Sequence, residues 1–182
     1  MKRDERTRQH ADASTVSLWL DAYTDIFSDF DPRPFAERAI SDDFILQVRR
    51  LARDSNKVAV LRLLLPEGAE REEHERTIRK RLHDYFERMY DQLDAEARAA
   101  RNKGVQMVAA GVAMMVVASY IYYRGLTQFS HYLLLVLLEP GGWFLFWSGL
   151  DNLLTFAKAK KRDILFYSRM AAAHVEFGTY KP

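Results

Sequence analysis

Residues 105–123 decide the architecture of this chain, and they read VQMVAAGVAMMVVASYIYY. The stretch contains no Asp, Glu, Lys or Arg. At the helical rise of about 1.5 Å per residue it spans roughly 30 Å, which matches the hydrocarbon core of a bilayer. A second apolar stretch, residues 132–154, follows a polar connector and reads YLLLVLLEPGGWFLFWSGLDNLL. The pair predicts a transmembrane hairpin within residues 104–156.

The basic residues around these stretches predict the orientation of the hairpin. The cations on its two outer flanks are Arg98, Arg101, Lys103, Lys158, Lys160, Lys161 and Arg162, whereas the connector carries only Arg124. Because Lys and Arg collect on the cytoplasmic side, we expect a multi-pass protein of the inner (plasma) membrane with both termini in the cytoplasm. The charged segment Met1–Arg6 has no apolar core behind it, so we expect no cleaved signal peptide.

The remainder of the chain predicts a small α/β domain with a few-stranded sheet. Residues 15–23, 58–65 and 174–180 alternate between apolar and polar positions, as strands with one buried face do. We expect the third strand to return to the sheet of the first two, since two strands alone are marginal. The hairpin is then an insertion into one domain, formed by residues 15–103 and 157–182 after a flexible tail, residues 1–14.

Three helices are predicted in this domain, and the last of them, residues 158–170, extends the second span out of the membrane. The first lies between residues 34 and 53, with Ser41 as an N-cap and an apolar stripe of Ile40, Phe44, Val48 and Leu51. The second starts at Glu70, and we expect it to continue into the first span, with a bend at Asn102–Gly104. Its predicted apolar stripe consists of Ile78, Leu82, Phe86, Met89 and Leu93.

Glu139 is the most informative polar residue of the apolar stretches. The six apolar residues before it favour insertion by roughly 2 to 4 kcal/mol, and a charge at mid-membrane costs about 2.5–3.5 kcal/mol. Pro140 removes a backbone donor and Gly141 and Gly142 loosen the next turn, so we expect a broken second helix. Glu139 then either contributes to an ion, proton or ligand site, or forms a polar clasp with Ser119 or a neighbouring subunit.

The first span contains small residues, among them Ala109, Gly111, Ala113 and Ala118. They permit close contact between helices, either within the hairpin or between copies of the chain. We therefore expect a homo-oligomer in a lipid bilayer as one outcome of this pattern.

Composition narrows the classes of function. A formal net charge of +2 argues against a dedicated nucleic-acid binder, which carries a concentrated basic surface. Because the chain has no cysteine, disulfides and thiolate metal sites are excluded. The sequence contains neither a Gly-rich phosphate loop nor a nucleophile elbow. We predict a non-catalytic protein without a cofactor.

An acidic run offers oxygen ligands for a metal ion, with Asp25, Asp29, Asp31, Asp42 and Asp43. The run lacks the spacing and the glycine of a helix–loop–helix calcium site. Loop capping and charge at a helix N-terminus explain it more simply, so we predict no metal site.

The predicted function is that of an integral membrane protein whose cytoplasmic domain mediates assembly or binds a protein partner. Trp19, Tyr23, Arg62 and Glu176 are predicted on one sheet face and belong to residue types that anchor interfaces. The alternative is a homo-oligomeric ion or proton pathway that uses Glu139.

Overall fold

A computed structural model describes residues 15–34, 37–53, 58–68, 72–125 and 128–180. The predicted tail, residues 1–14, lies outside this range. The strands are β1 (Thr15–Trp19), β2 (Val60–Pro66) and β3 (His174–Tyr180). The longer helices are α1 (Asp42–Arg53), α2 (Glu72–Tyr123), α3 (Phe129–Asp151) and α4 (Ala157–Ala172), with a 3-10 helix at Tyr23–Ile26 and a π-helical segment at Asn152–Phe156.

The chain forms two compact units. Residues up to Tyr90 and from Leu165 onward make the first, which we call the sheet domain. Residues Asp91–Ile164 make the second, which we call the hairpin unit. The architecture is thus a mixture of helices and a small sheet, with two long apolar helices, as the sequence predicts.

The sheet contains three parallel strands in the order β1-β2-β3. Leu18 lies beside Leu63, which lies beside Phe177 on the far strand. The prediction that β3 joins the sheet of the first two strands is confirmed. β1 ends at Trp19 rather than at Tyr23, because the Asp25 carboxylate accepts the backbone N–H groups of Asp21 and Ala22 (2.8 and 3.0 Å) and turns the chain.

The core of the sheet domain lies on one face of the sheet. Leu61, Leu63 and Leu65 of β2 are fully buried, whereas Arg62 between them is exposed. Right-handed crossovers between strands that follow one another in sequence place all connections on the same face. Among the residues that the structure describes, the chain therefore covers one face of the sheet and leaves the other open.

The buried residues of α1 and α2 agree with the predicted apolar stripes except at particular positions. Ile78, Leu82 and Phe86 of α2 have no exposed surface, as expected for a core-facing stripe. The prediction for α1 is wrong at Leu51, which is exposed. Ile45 and Ala52 are buried beside Phe44 and Val48 instead, because α1 begins only at Asp42 and Ile40 lies before it in a bridge to Phe27.

An aromatic cluster joins α1, α2 and α4 within the sheet domain. The Phe86 ring lies 6.3 Å from the rings of Phe166 and Tyr167, and Tyr85 lies 6.5 Å from Tyr167. The Arg49 guanidinium lies 4.9 Å from the centre of the Phe166 ring, within range of a cation–π interaction. Burial, and next the neighbouring Tyr167, raises the pKa of Tyr85 to about 12.

The hairpin unit contains long helices without the predicted interruption. α2 continues through Asn102–Gly104 into the apolar stretch, as expected. The expected break at Glu139–Gly142 is wrong, since α3 is helical throughout and contains Pro140. Proline removes only its own backbone N–H donor. The following turn packs directly on α2, so the backbone hydrogen bonds of the flanking residues persist. The irregular turn comes later, at the π-helical segment after Asp151.

Candidate functional site

Two glycine pairs bring α2 and α3 into backbone contact. A Cβ atom on Gly111 would lie 2.6 Å from the Gly142 carbonyl oxygen, and one on Gly149 would lie 2.7 Å from the Gly104 carbonyl oxygen. Such distances exclude any side chain at these positions, since real Cβ atoms do not approach an oxygen so closely. Small residues allow helices to pack in this way.

The pairs repeat with the period of a heptad. Gly104 and Gly111 are seven residues apart on α2, and Gly142 and Gly149 are seven apart on α3. One heptad further, Ala118 and Leu135 are both buried in the same small core, with Ile121. We call this contact line the glycine seam; its residues are Gly104, Gly111, Ala118, Leu135, Gly142 and Gly149.

Some of the small residues that were predicted to permit helix contact belong to the glycine seam. Gly111, Ala118 and Gly142 belong to it, whereas Ala109 and Ala113 are exposed. Gly141 is not needed for it, because its Cβ would meet only the flexible end of Met114, at 2.9 Å. Gly104 and Gly149 were not predicted as contact residues, although they lie seven residues from Gly111 and Gly142.

The antiparallel register of the seam defines the level of Glu139. Since Gly111 faces Gly142, Glu139 lies level with Met114, three residues further along α2. Met114 is the midpoint of the apolar stretch 105–123. Glu139 is exposed at this level, and so is Pro140.

Tyr122 is a polar neighbour of Glu139 inside the hairpin. Side chains lean toward the N-terminus of their own helix, so those of antiparallel helices lean toward each other across the pair. The predicted clasp of Glu139 with Ser119 or a neighbouring subunit stays a prediction.

An exposed aromatic stripe continues from Glu139 along α3. Trp143 and Trp147 follow at intervals of four residues, with 56% and 51% of their surface exposed. Their rings meet edge to face at 5.7 Å, and Trp143 stacks on Phe146 at 6.2 Å. Within the described ranges, neither indole N–H has a hydrogen-bond acceptor.

The open face of the sheet carries most of the predicted interface residues. Arg62 donates to the Glu176 carboxylate at 3.2 Å, and both side chains are more than 40% exposed. Trp19 is 68% exposed and stacks on Tyr180 at 4.8 Å. Tyr180 was not among the predicted interface residues, although the alternation of β3 places it on the same face as Glu176.

Tyr23 does not belong to the open face. It is buried, its hydroxyl donates to Glu75 at 3.0 Å, and its ring contacts His74 and Phe177. The reason is local: the alternation of β1 ends at Trp19, and the 3-10 helix that follows rotates Tyr23 into the core.

Asp31 of the acidic run stabilises a loop by accepting hydrogen bonds. Asp31 accepts hydrogen bonds from the Arg33 side chain (2.7 Å to Nη2) and from the Ala39 backbone N–H (2.6 Å). These two groups hold the pKa of the Asp31 carboxyl well below its usual range. Over the part of the chain that the structure describes, no three His, Asp or Glu side chains converge as metal ligands would.

Comparison of the chain with protein-family models, curated proteins and solved structures found no match. Function therefore has to be inferred from the hairpin and from the open sheet face.

Proposed function

We propose that this chain is an integral membrane protein whose hairpin crosses the bilayer. The observation that carries the proposal is the apolar surface that both helices leave uncovered. Only 22% and 17% of their most apolar windows are buried. Val116, Leu137 and Phe144 each expose more than 60% of their surface. A soluble monomer rarely exposes an apolar patch of this extent, whereas lipid would cover it.

The charges at the open end of the hairpin support an orientation with both termini in the cytoplasm of a cell with an inner membrane. Lys160 pairs with Glu96 at 3.3 Å and Arg98 pairs with Asp94 at 3.1 Å. Arg101 and Lys103 are exposed nearby. Basic residues favour the cytoplasmic side of a membrane.

The lack of cysteine makes this topology directly testable. We expect Ser130→Cys, in the connector end of α3, to react with an impermeant maleimide on intact cells. Asn102→Cys, at the opposite end of the hairpin, should react only after permeabilisation. Equal labelling of both variants in intact cells, or extraction of the parent protein by alkaline carbonate, would contradict the proposal.

We further propose that the sheet domain is a non-catalytic module that binds a cytoplasmic protein partner or mediates assembly. Parallel sheets are almost always covered on both faces, and here one face remains open. That face presents Trp19, Arg62 and Glu176, together with Tyr180. A photocrosslinking residue at Trp19 should give a discrete adduct in cells. The same residue at the exposed Phe30 of the loop is the matched control, and identical products from both would refute the proposal.

The position of Glu139 favours one second candidate, an ion or proton pathway. Its level at the middle of the first apolar stretch is where a carboxylate costs most in lipid. Two helices cannot enclose a pore, so this function requires several copies. Liposomes containing the protein should conduct, and Glu139→Gln should abolish the current. Oligomers that do not conduct would exclude this candidate.

A further inference from the structure

We propose that a second copy of this chain packs against a stripe on α3 that consists of Glu139, Trp143 and Trp147. The proposal rests on the membrane insertion proposed above and names the partner of the inserted hairpin. The stripe is exposed and lies beside the glycine seam, whose residues are already occupied by contact within the hairpin.

The stripe concentrates polar groups that lipid cannot satisfy. Glu139 supplies carboxylate oxygens that accept hydrogen bonds. Trp143 and Trp147 each supply an indole N–H that lacks an acceptor in the described ranges. In hydrocarbon, such groups favour contact between helices over contact with lipid.

Trp143 is the residue whose depth is least compatible with a lipid-facing role. Tryptophans that face lipid concentrate at the membrane interfaces. By the register of the seam, Trp147 lies level with Gln106, near the end of the apolar stretch, and fits such a belt. Trp143 lies level with Ala110, roughly 6 Å further in.

A second copy is the partner whose chemistry matches the stripe. Copies that insert with the same orientation present the same residue at the same depth, and a two-fold interface pairs each patch with itself. Trp143 lies one turn from Glu139 and its side chain leans toward the level of Glu139. The indole N–H of one copy then meets the carboxylate of the other, twice across the axis. The stripe contains both the donors and the acceptor, so it is complementary to itself.

The experiment measures the fraction of dimer in liposomes, by photobleaching of single labelled molecules at increasing dilution. We expect the parent to dimerise and Trp143→Leu to weaken dimerisation about tenfold, in line with the two symmetry-related polar contacts that the change removes. Phe144→Leu is the matched control, because Phe144 is even more exposed than Trp143 but lies on a different side of α3, and it should behave as the parent. Glu139→Gln should retain the dimer, since an amide oxygen still accepts, and Glu139→Leu should lose it.

The outcomes separate this inference from the proposed function. A parent that does not float with vesicles would overturn both. A parent that floats with vesicles but is monomeric at every dilution would overturn the dimer alone. Equal effects of Trp143→Leu and Phe144→Leu would also overturn it, and that comparison needs no variant at Glu139.

Discussion

Gly111 and Gly142 lie so close across the hairpin that a Cβ atom on Gly111 would come within 2.7 Å of the Phe146 backbone nitrogen and within 2.6 Å of the Gly142 carbonyl oxygen. Both of these atoms belong to the backbone of α3, so neither can move aside as the end of a flexible side chain would. The pair therefore sets the distance between the two helices.

The first prediction concerns this pair. Gly111→Ala should destabilise the hairpin unit by about 1–3 kcal/mol through overpacking, although alanine is the better helix former. Gly141→Ala should leave stability unchanged or raise it, because the new methyl group meets only the end of Met114. The measurement is thermal unfolding of each variant in detergent. If the two substitutions lowered the melting temperature equally, the seam would not be the contact we describe.

The second prediction concerns Tyr85. Its pKa is about 12 in the folded protein and 10.0 in the unfolded chain, so folding favours the neutral phenol. The stabilisation is complete below pH 10 and is lost as the pH rises through 12. We expect the raised pKa to contribute roughly 1 kcal/mol to the free energy of unfolding, a value discounted for solvent screening because the side chain is half exposed.

The test compares the parent with Tyr85→Phe, which keeps the ring contacts. Pulse proteolysis between pH 8 and pH 11.5 should show a difference in unfolding free energy between the two proteins that changes above pH 10. Parallel curves over this range would show that Tyr85 does not titrate as proposed.

The third prediction separates stability from binding on the open sheet face. Arg62→Ala should change the unfolding free energy by no more than about 1 kcal/mol, because the Arg62–Glu176 pair is exposed. The same change should reduce the yield of the crosslink from position 19. Chemical denaturation and crosslinking yield are the two measurements. A large loss of stability with an unchanged crosslink would assign the pair a structural role.

The fourth prediction concerns the loop closed by Asp31. Asp31→Ala should accelerate hydrogen exchange of the Ala39 amide, which loses its acceptor, and Asp29→Ala should not. Because the folded-state pKa of Asp31 is lowered, its contribution is present above the ordinary value of 3.8 and is lost as the pH falls below it. Protection of Ala39 that is insensitive to Asp31→Ala would contradict the assignment.

Local periodicity made much of the fold predictable. The alternation around Leu61, Leu63 and Leu65 identified β2 and its buried face, because side chains of a strand alternate with a period of two. The apolar length of residues 105–123 similarly identified the helix that ends at Tyr123. These features depend only on neighbours along the chain.

The errors arose where turn chemistry or contacts between helices override the periodicity of the sequence. Tyr23 lies inward because Asp25 caps a turn directly after β1. Pro140 stays within a helix because the next turn is held against α2 through Gly142. The level of Glu139 relative to α2 depends on the register of the two helices, which the separate sequences of the spans do not contain.

The order of the strands has a consequence for biosynthesis. β2 is the central strand, and its neighbour β3 is encoded after the entire hairpin. While the ribosome translates α2 and α3, β2 has only β1 beside it, and two strands form an unstable sheet. Closure of the sheet domain therefore waits until His174–Tyr180 has emerged, by which time both long apolar helices have already left the ribosome.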